Sequence, residues 1–235
     1  AIRKKAPFLN NGIWKVERQN LLNTVRKAAI TWAELLSKLD AKVVAPEMWL
    51  EGSFHNQPIH GQTDCVISLP DQSVLVVDFK TSKSDKYEKR MRAKLDLQAS
   101  LYEQMLKTGG PKKNDEVLAE GVNLKQLSGV VYFTLKDRQA TSNFRPMVDM
   151  GSWNTVSPLD ENGLPSLHSK DVSSRAMDFL RDRFDQLRKG QLLALSQNDI
   201  ERFAADGFQQ YIFESTPLIK SAVIVAQNNE VAGDE

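Results

Sequence analysis

The chain of 235 residues lacks several groups on which whole classes of function depend. It has one cysteine, Cys65. That excludes an internal disulfide framework, a four-cysteine zinc site and a cysteine-ligated iron–sulfur cluster. A reducing, intracellular (cytoplasmic) setting is the expectation. No apolar run approaches the ~20 residues needed to cross a bilayer, so no membrane partner is expected. The opening "AIRKKAPFLNNG" has no signal-peptide pattern. It begins with alanine rather than methionine, which reads as a piece of something longer. An excess of charge is also missing. The formal net charge is +1, so any surface for a polyanion must be local. What is present is ordinary: 41% hydrophobic and 26% charged residues in a chain long enough for one large domain or two small ones, with one domain over residues 1–235 the expectation.

The hydrophobic pattern changes period along the chain, without an internal repeat or a low-complexity tract. Residues 14–39 carry Leu21, Leu22, Val25, Ala28, Ala29, Trp32, Leu35, Leu36 and Leu39 at helical spacing, which predicts a long amphipathic helix. "KVVAPEMWLEGSF" reads as extended, with Pro46 marking an edge or an irregularity. "PIHGQTDCVISL" and "SVLVVDFKT" read as two strands around the turn "LPDQS". Residues 85–107 return to a helical period until "TGGPKKND" breaks it. Residues 127–137 form another strand, apolar enough to be central. Residues 138–169 show no period and read as a long irregular excursion. "DVSSRAMDFLRDRFDQLRKGQLLAL" predicts a helix capped near Asp171 or Ser173 and broken near Gly190, with a shorter helix at 198–211 and a frayed polar end. The result is a mixed α/β core of about residues 12–137, a central mixed sheet flanked by helices, followed by the excursion and C-terminal helices.

The chemistry gathers in "GQTDCVISLPDQSVLVVDFKTSKSD", residues 61–85. Positions two apart on a strand share a face, so Asp78 and Lys80 point one way and Phe79 the other. If "PDQ" is a three-residue loop, Leu69 pairs with Ser73 and Asp64 falls opposite Asp78, with Cβ atoms ~5 Å apart. A register shifted by one residue would scatter the group. Two carboxylates this close repel unless a cation lies between them, and Mg²⁺ (or Mn²⁺) favours such oxygen ligands with water and substrate phosphate. Such a metal can polarise a phosphodiester and acidify a bound water. Lys80 can orient the nucleophile or neutralise charge on phosphate oxygens. Seven basic residues lie between 80 and 94 against two acids; Lys83, Lys86, Arg90 and Lys94 are the candidates for a nucleic-acid backbone. Gln98 and Tyr102 are four apart, so they share a helix face that can turn toward the site.

These residues together resemble the RecB-like branch of the PD-(D/E)XK nuclease superfamily. "GQTD" (Gly61–Asp64) matches G-x-x-D, "DFK" (Asp78–Lys80) matches D-x-K, and "QASLY" (Gln98–Tyr102) matches Q-x-x-x-Y, over roughly residues 12–137. The resemblance implies a restriction-endonuclease-like core and metal-dependent hydrolysis of DNA, with an exonuclease or end-processing role in recombination or repair. It implies Asp64 and Asp78 as metal ligands, with the Phe79 main-chain carbonyl as a third. Lys80 becomes the catalytic lysine, and Gln98 and Tyr102 supporting residues. The implied cofactor is Mg²⁺ or Mn²⁺ without an iron–sulfur cluster; the implied partners are DNA and a helicase domain or subunit. Relatives often place a histidine or glutamate on the first helix; that helix has no histidine here, and whether Glu17 or Glu47 completes the metal site is open at this point.

Two other functions are open to the same residues: a nuclease fold that has lost catalysis and binds DNA or a helicase, and an enzyme of this fold acting on RNA or a nucleotide. Blander readings also exist. The basic run can be a solvated helix face. His55 and His60 suit a turn or surface, and His168 says little. Glu47 and Glu51 suit structural or solvent roles, although Glu47 lies on the strand beside Asp64. Cys65 should point away from Asp64 into the core. Among the tryptophans, Trp153 is the best candidate to touch DNA.

Overall fold

A computed structural model describes residues 12–116, 122–166 and 171–191. The chain divides into two compact units, 1–179 and 180–235, and the sheet lies wholly in the first.

A short 3₁₀ turn (Gly12–Trp14) leads into α1, Lys15–Leu39. It ends where Asp40 turns left-handed at φ 49° and donates its N–H to the last carbonyls, those of Leu36 and Ser37. The amphipathic stripe is only half used. Ala28 and Leu35 are buried, whereas Leu21, Leu22 and Val25 are 44–46% exposed. The periodicity that predicts the helix is therefore real, but its N-terminal turns meet no sheet among the described residues.

The sheet follows as β1 (Lys42–Phe54), β2 (Gln57–Ser68) and β3 (Val74–Lys80), then β4 (Gly110–Pro111), β5 (Leu127–Thr134), β6 (Gln139–Ser142) and β7 (Trp153–Thr155). Its spatial order is β4-β1-β2-β3-β5-β6-β7. β1 and β2 are joined by His55–Asn56, both at positive φ (52° and 61°), the requirement of a type I′ hairpin turn. β2 and β3 are joined by the loop 70–72: Leu69 N–H donates to Ser73 O at 2.8 Å, and Asp71 caps the turn through Ser73. β3 and β5 run parallel, linked by a helical crossover. The four residues "VLVV" (74–77) are fully buried, as a central strand covered on both faces requires.

Two apolar layers cover the sheet. On one face, Ala28 and Leu35 of α1 pack with Ile67, Leu75, Val77 and Phe133. On the other, helices α2 (Asp85–Arg92) and α3 (Leu97–Thr108) bring Met91, Tyr102 and Met105 onto Val66, Val76 and Val130. Each fully buried Leu or Ile contributes roughly 1.5–3 kcal/mol.

Two expectations change. The helix read over 85–107 is two helices, because Lys94 turns left-handed (φ 58°) and Asp96 caps a new one by accepting the Ala99 N–H. The break is pinned by a distant segment, since Asp96 N–H donates to Val172 O and Ala176 N–H to Lys94 O. The excursion 138–169 is not wholly irregular: β6 and β7 extend the sheet. α4 runs Ser174–Arg188, with Asp171 accepting the N–H groups of Ser173 and Ser174 and Gly190 at φ 74° beyond its end. The helix expected at 198–211 and the frayed end lie outside the described residues.

α3 lies against β1 with no room for side chains at the contact. A Cβ on Gly109 would sit 2.1 Å from the Glu51 carbonyl oxygen, whereas one on Gly151 would meet nothing within 4 Å. Gly109→Ala should lower unfolding free energy by about 1–3 kcal/mol. Gly151→Ala should change it by less than about 0.5 kcal/mol. Denaturant titration of both variants checks the difference; equal midpoints would mean that α3 does not approach β1 this closely.

Candidate active site

The site forms where two paired strands separate. β2 and β3 pair from Ser68/Val74 to Cys65/Val77. One step further, where Asp64 and Asp78 would pair, the ladder stops. The register is the one the three-residue loop demands. Beyond the last pair, Asp64 Oδ2 accepts the Phe79 N–H at 2.7 Å, so a carboxylate takes the place of a strand partner.

β2 changes its facing at this point. Thr63 pairs with Met48 and Gly61 with Leu50, toward α3, while Cys65 belongs to the α1 side and Val66 to the α3 side. Strict alternation therefore fails between Thr63 and Val66, and Asp64 occupies the irregular position. Across from it on β1, Glu47 holds φ 58° and is likewise outside the ladder. Pro46 beside it marks the irregularity the sequence suggests.

Asp78 is 3% exposed and ion-paired through Oδ2 with the Lys80 ammonium. Lys80 Nζ also donates to Gln98 Oε1 at 3.2 Å. Gln98 Nε2 donates to the Tyr102 oxygen at 3.0 Å, and the Tyr102 hydroxyl donates to Gln62 O at 3.0 Å. The chain of contacts thus runs from β3 through α3 back to β2. Gly61 lies beneath this chain: a Cβ there would come to 3.1 Å from the Met105 methyl and 4.0 Å from the Tyr102 ring.

Burial pushes the Asp78 carboxyl above the usual carboxylate range. The hydrogen bond and charge of Lys80 oppose this, and the Asp64 charge adds to it. Burial, then the charge of Asp78, pushes the Tyr102 phenol up to about 12. Gln98 opposes that shift. The phenol is therefore a neutral hydrogen-bond donor at neutral pH.

The donor set suits a hard divalent cation. It offers two carboxylates, one of them buried. Strand geometry adds a carbonyl: Lys80 O faces β5, where it accepts the Leu135 N–H, so the N–H and C=O of Phe79 turn the opposite way, toward β2 and Asp64. Among the described residues no three His, Cys, Asp or Glu side chains converge on one point. Glu17 and Glu47 thus do not complete a three-carboxylate cluster. α1, which carries Glu17, buries its apolar residues on the face opposite Asp78. Glu47 instead accepts from Gln62 Nε2 at 3.5 Å. With two protein carboxylates, water and a substrate phosphate would supply the remaining ligands.

The other predicted residues are dispersed. Lys83 and Lys86 are exposed, and Arg90 and Lys94 half-buried. The charges of Arg90 and Lys94 act on Asp96 and Asp171 respectively. His55 sits in the hairpin turn, and the His60 ring lies 6.2 Å from that of Trp49. Trp153 donates its indole N–H to Phe144 O and lines a cavity of about 500 Å³ with Arg145 and Met147. His168 lies outside the described residues. Cys65 is buried on the α1 side, as expected, and burial raises its thiol to about 11.

Two residues beside the site escape the sequence reading. Tyr132 on β5 places its ring under Lys80, 5.8 Å from centroid to Nζ, and donates its hydroxyl to Asp96 Oδ1 at 2.6 Å. The available signals were an aspartate of N-cap type at the start of "DLQAS" and one hydroxyl-bearing ring in the buried strand "GVVYFT".

Comparison with protein families matches residues 5–214 to the PD-(D/E)XK nuclease superfamily. The match covers most of the chain, and the protein belongs to that superfamily. Its mixed sheet flanked by helices is the restriction-endonuclease-like α/β fold. No curated protein and no solved structure matches the chain.

The Tyr102 shift has a measurable sign. An unfolded tyrosine ionises near ~10. A phenol raised to about 12 in the fold therefore supports stability fully below pH ~10, and that contribution is lost as pH rises toward the folded value. Burial also pushes the Tyr132 phenol well up, so ultraviolet titration of tyrosinate should show a late-ionising phase that loses one phenol in Tyr102→Phe. A variant with an unchanged late phase would remove Tyr102 from this buried setting.

Proposed function

We propose that the protein is a Mg²⁺- or Mn²⁺-dependent deoxyribonuclease of the RecB-like branch, acting on DNA ends as an exonuclease or end-processing enzyme in recombination or repair. The observation that carries the reading is the meeting of Asp64, Asp78 and Lys80 where β2 and β3 part, in a chain of the nuclease superfamily. The order G-x-x-D, D-x-K, Q-x-x-x-Y supports the branch. A helicase domain or subunit is the partner this branch implies.

In this reading Asp64, Asp78 and the Phe79 carbonyl hold the cation. A cation held there would supply polarisation of the phosphodiester and a lower pKa for an attacking water. The Asp64 bond to the Phe79 N–H fixes one carboxylate and turns the neighbouring carbonyl toward it. Lys80 supplies a positive charge to the non-bridging oxygens as negative charge develops there, in a setting where burial strengthens the interaction. Gln98 holds the ammonium, and Tyr102 holds Gln98. Water loses a proton to solvent as its oxygen bonds to phosphorus, the bridging P–O bond breaks, and the leaving oxygen takes a proton from solvent. Exposed Lys83 and Lys86 attract the backbone, with Arg90 and Lys94 behind them.

The test is cleavage of linear single- and double-stranded DNA with Mg²⁺ or Mn²⁺. Wild type should cut, and Asp78→Ala and Lys80→Ala should each lose at least about 100-fold in kcat. Binding without cleavage by wild type would favour a non-catalytic DNA-binding module. Variants that cut as fast as wild type would overturn the site.

A further inference from the structure

A lysine ammonium on a flexible four-carbon stem is poorly fixed by one hydrogen bond. Here Lys80 is held from two directions besides its ion pair with Asp78. Its Nζ donates to Gln98 Oε1 at 3.2 Å and lies 5.8 Å from the centre of the Tyr132 ring, within range of a cation–π contact. Tyr132 is itself locked. It is 1% exposed, its ring stacks on Tyr87 with centroids 4.7 Å apart, and its hydroxyl donates to Asp96 Oδ1 at 2.6 Å. The same oxygen accepts the Ala99 N–H at 2.9 Å and so caps α3, the helix that carries Gln98. The contacts close on themselves: Lys80, Gln98, the first turn of α3, Asp96, Tyr132, and Lys80 again.

Part of this is ordinary packing, since a buried aspartate and a buried phenol each need a partner. What ordinary packing does not require is that both ends of their bond lead to the same ammonium. We infer that Asp96 and Tyr132 form a positioning pair that sets Lys80 and Gln98 relative to Asp78. The pair lies outside the three motifs. Tyr132 brings the parallel strand β5 into the site, and Asp96 makes the start of α3 answer to it. The inference deepens the proposed function and rests on the catalytic role given there to Lys80.

The test uses the full chain and compares wild type, Lys80→Ala, Tyr132→Phe, Asp96→Ala, Asp96→Asn and the Tyr132→Phe/Asp96→Ala double variant on linear DNA with Mn²⁺. Tyr132→Phe and Asp96→Ala should each lower kcat about 10- to 100-fold, as small misplacements of a catalytic group do. KM for DNA should stay within roughly threefold, because binding is not what the pair controls. Asp96→Asn keeps an acceptor oxygen and should retain most activity. The double variant should be no slower than the slower single one, because the two residues act through one contact. Wild-type kcat in Tyr132→Phe, or effects that multiply in the double variant, would overturn the inference. If Asp96→Ala does not fold, Tyr132→Phe, which removes one oxygen, carries the test alone.

A second measurement is independent of cleavage. With lysines carrying ¹³C-methyl labels, the Lys80 signal (assigned by its loss in Lys80→Ala) should be displaced by the Tyr132 ring current. It should move toward the exposed-lysine position in Tyr132→Phe and Asp96→Ala. An unmoved signal would overturn the pair even if wild type cut nothing. A Lys80→Ala that cuts like wild type, with the signal moving as expected, would instead overturn the catalytic reading and leave the positioning intact.

Discussion

The structure turns on one hydrogen bond, from the Phe79 N–H to Asp64 Oδ2. Two strands cannot part inside a protein without leaving main-chain groups unpaired, and a buried unpaired amide costs about 1–3 kcal/mol. Asp64 removes that penalty on β3 by standing in for a missing strand partner. In doing so it comes beside Asp78, which burial already inclines toward protonation. The gap between the strands and the concentration of negative charge within it thus have one origin. The irregularity on β1, where Glu47 takes positive φ, keeps the neighbouring strand alongside.

The rest of the site is held by what leans over this gap. α3 can approach because Gly52 and Gly109 offer no side chains where it passes; a Cβ on Gly52 would come within 2.7 Å of the Met105 Cα. That proximity lets the Tyr102 hydroxyl reach a main-chain carbonyl on β2 while Gln98 reaches Lys80 on β3. The glycine of "GQTD" faces Met105 and Tyr102 of α3, and the aspartate of the same motif bonds across the gap. Asp137 anchors the crossover elsewhere: it accepts from the Ser84 N–H and hydroxyl and from the Thr134 hydroxyl, tying the start of α2 to the end of β5.

Much of this was legible from residues close in sequence. The loop "PDQ" sets the β2–β3 register through Leu69 and Ser73, and that register carries Asp64 to Asp78 with no information from elsewhere. Likewise, Gln98 and Tyr102 share a face simply because they are one turn apart. What stayed hidden depends on distant segments. The break at Lys94–Asp96 interrupts a pattern that reads as one helix, because Val172 supplies a carbonyl no local rule foresees. β6 and β7 are four and three residues long, too short to show alternation. The exposed Leu21, Leu22 and Val25 are legible as a stripe, but where the sheet ends beneath a helix is not written in its period. Tyr132 looks like core because it is core; only its hydroxyl leads to Asp96.

The parallel pairing of β3 with β5 gives the site a sequence of assembly. Cys65 and Val77, the last pair before the acids, are close along the chain and joined by a tight loop, so they meet at small entropic cost. Asp78 and Tyr132 are partners across a long crossover that includes two helices. Contacts of large sequence separation form late when loop closure limits folding. The acid pair therefore belongs to the locally encoded part of the fold, and the support beneath Lys80 to the part that must wait for the whole crossover. Quenched-flow hydrogen exchange reads this order directly: protection of Val77 before Val131 agrees with it, and the reverse order contradicts it. A chain stalled before β5 docks would hold its carboxylates side by side with the lysine unsupported, so competence at this site coincides with completion of the fold.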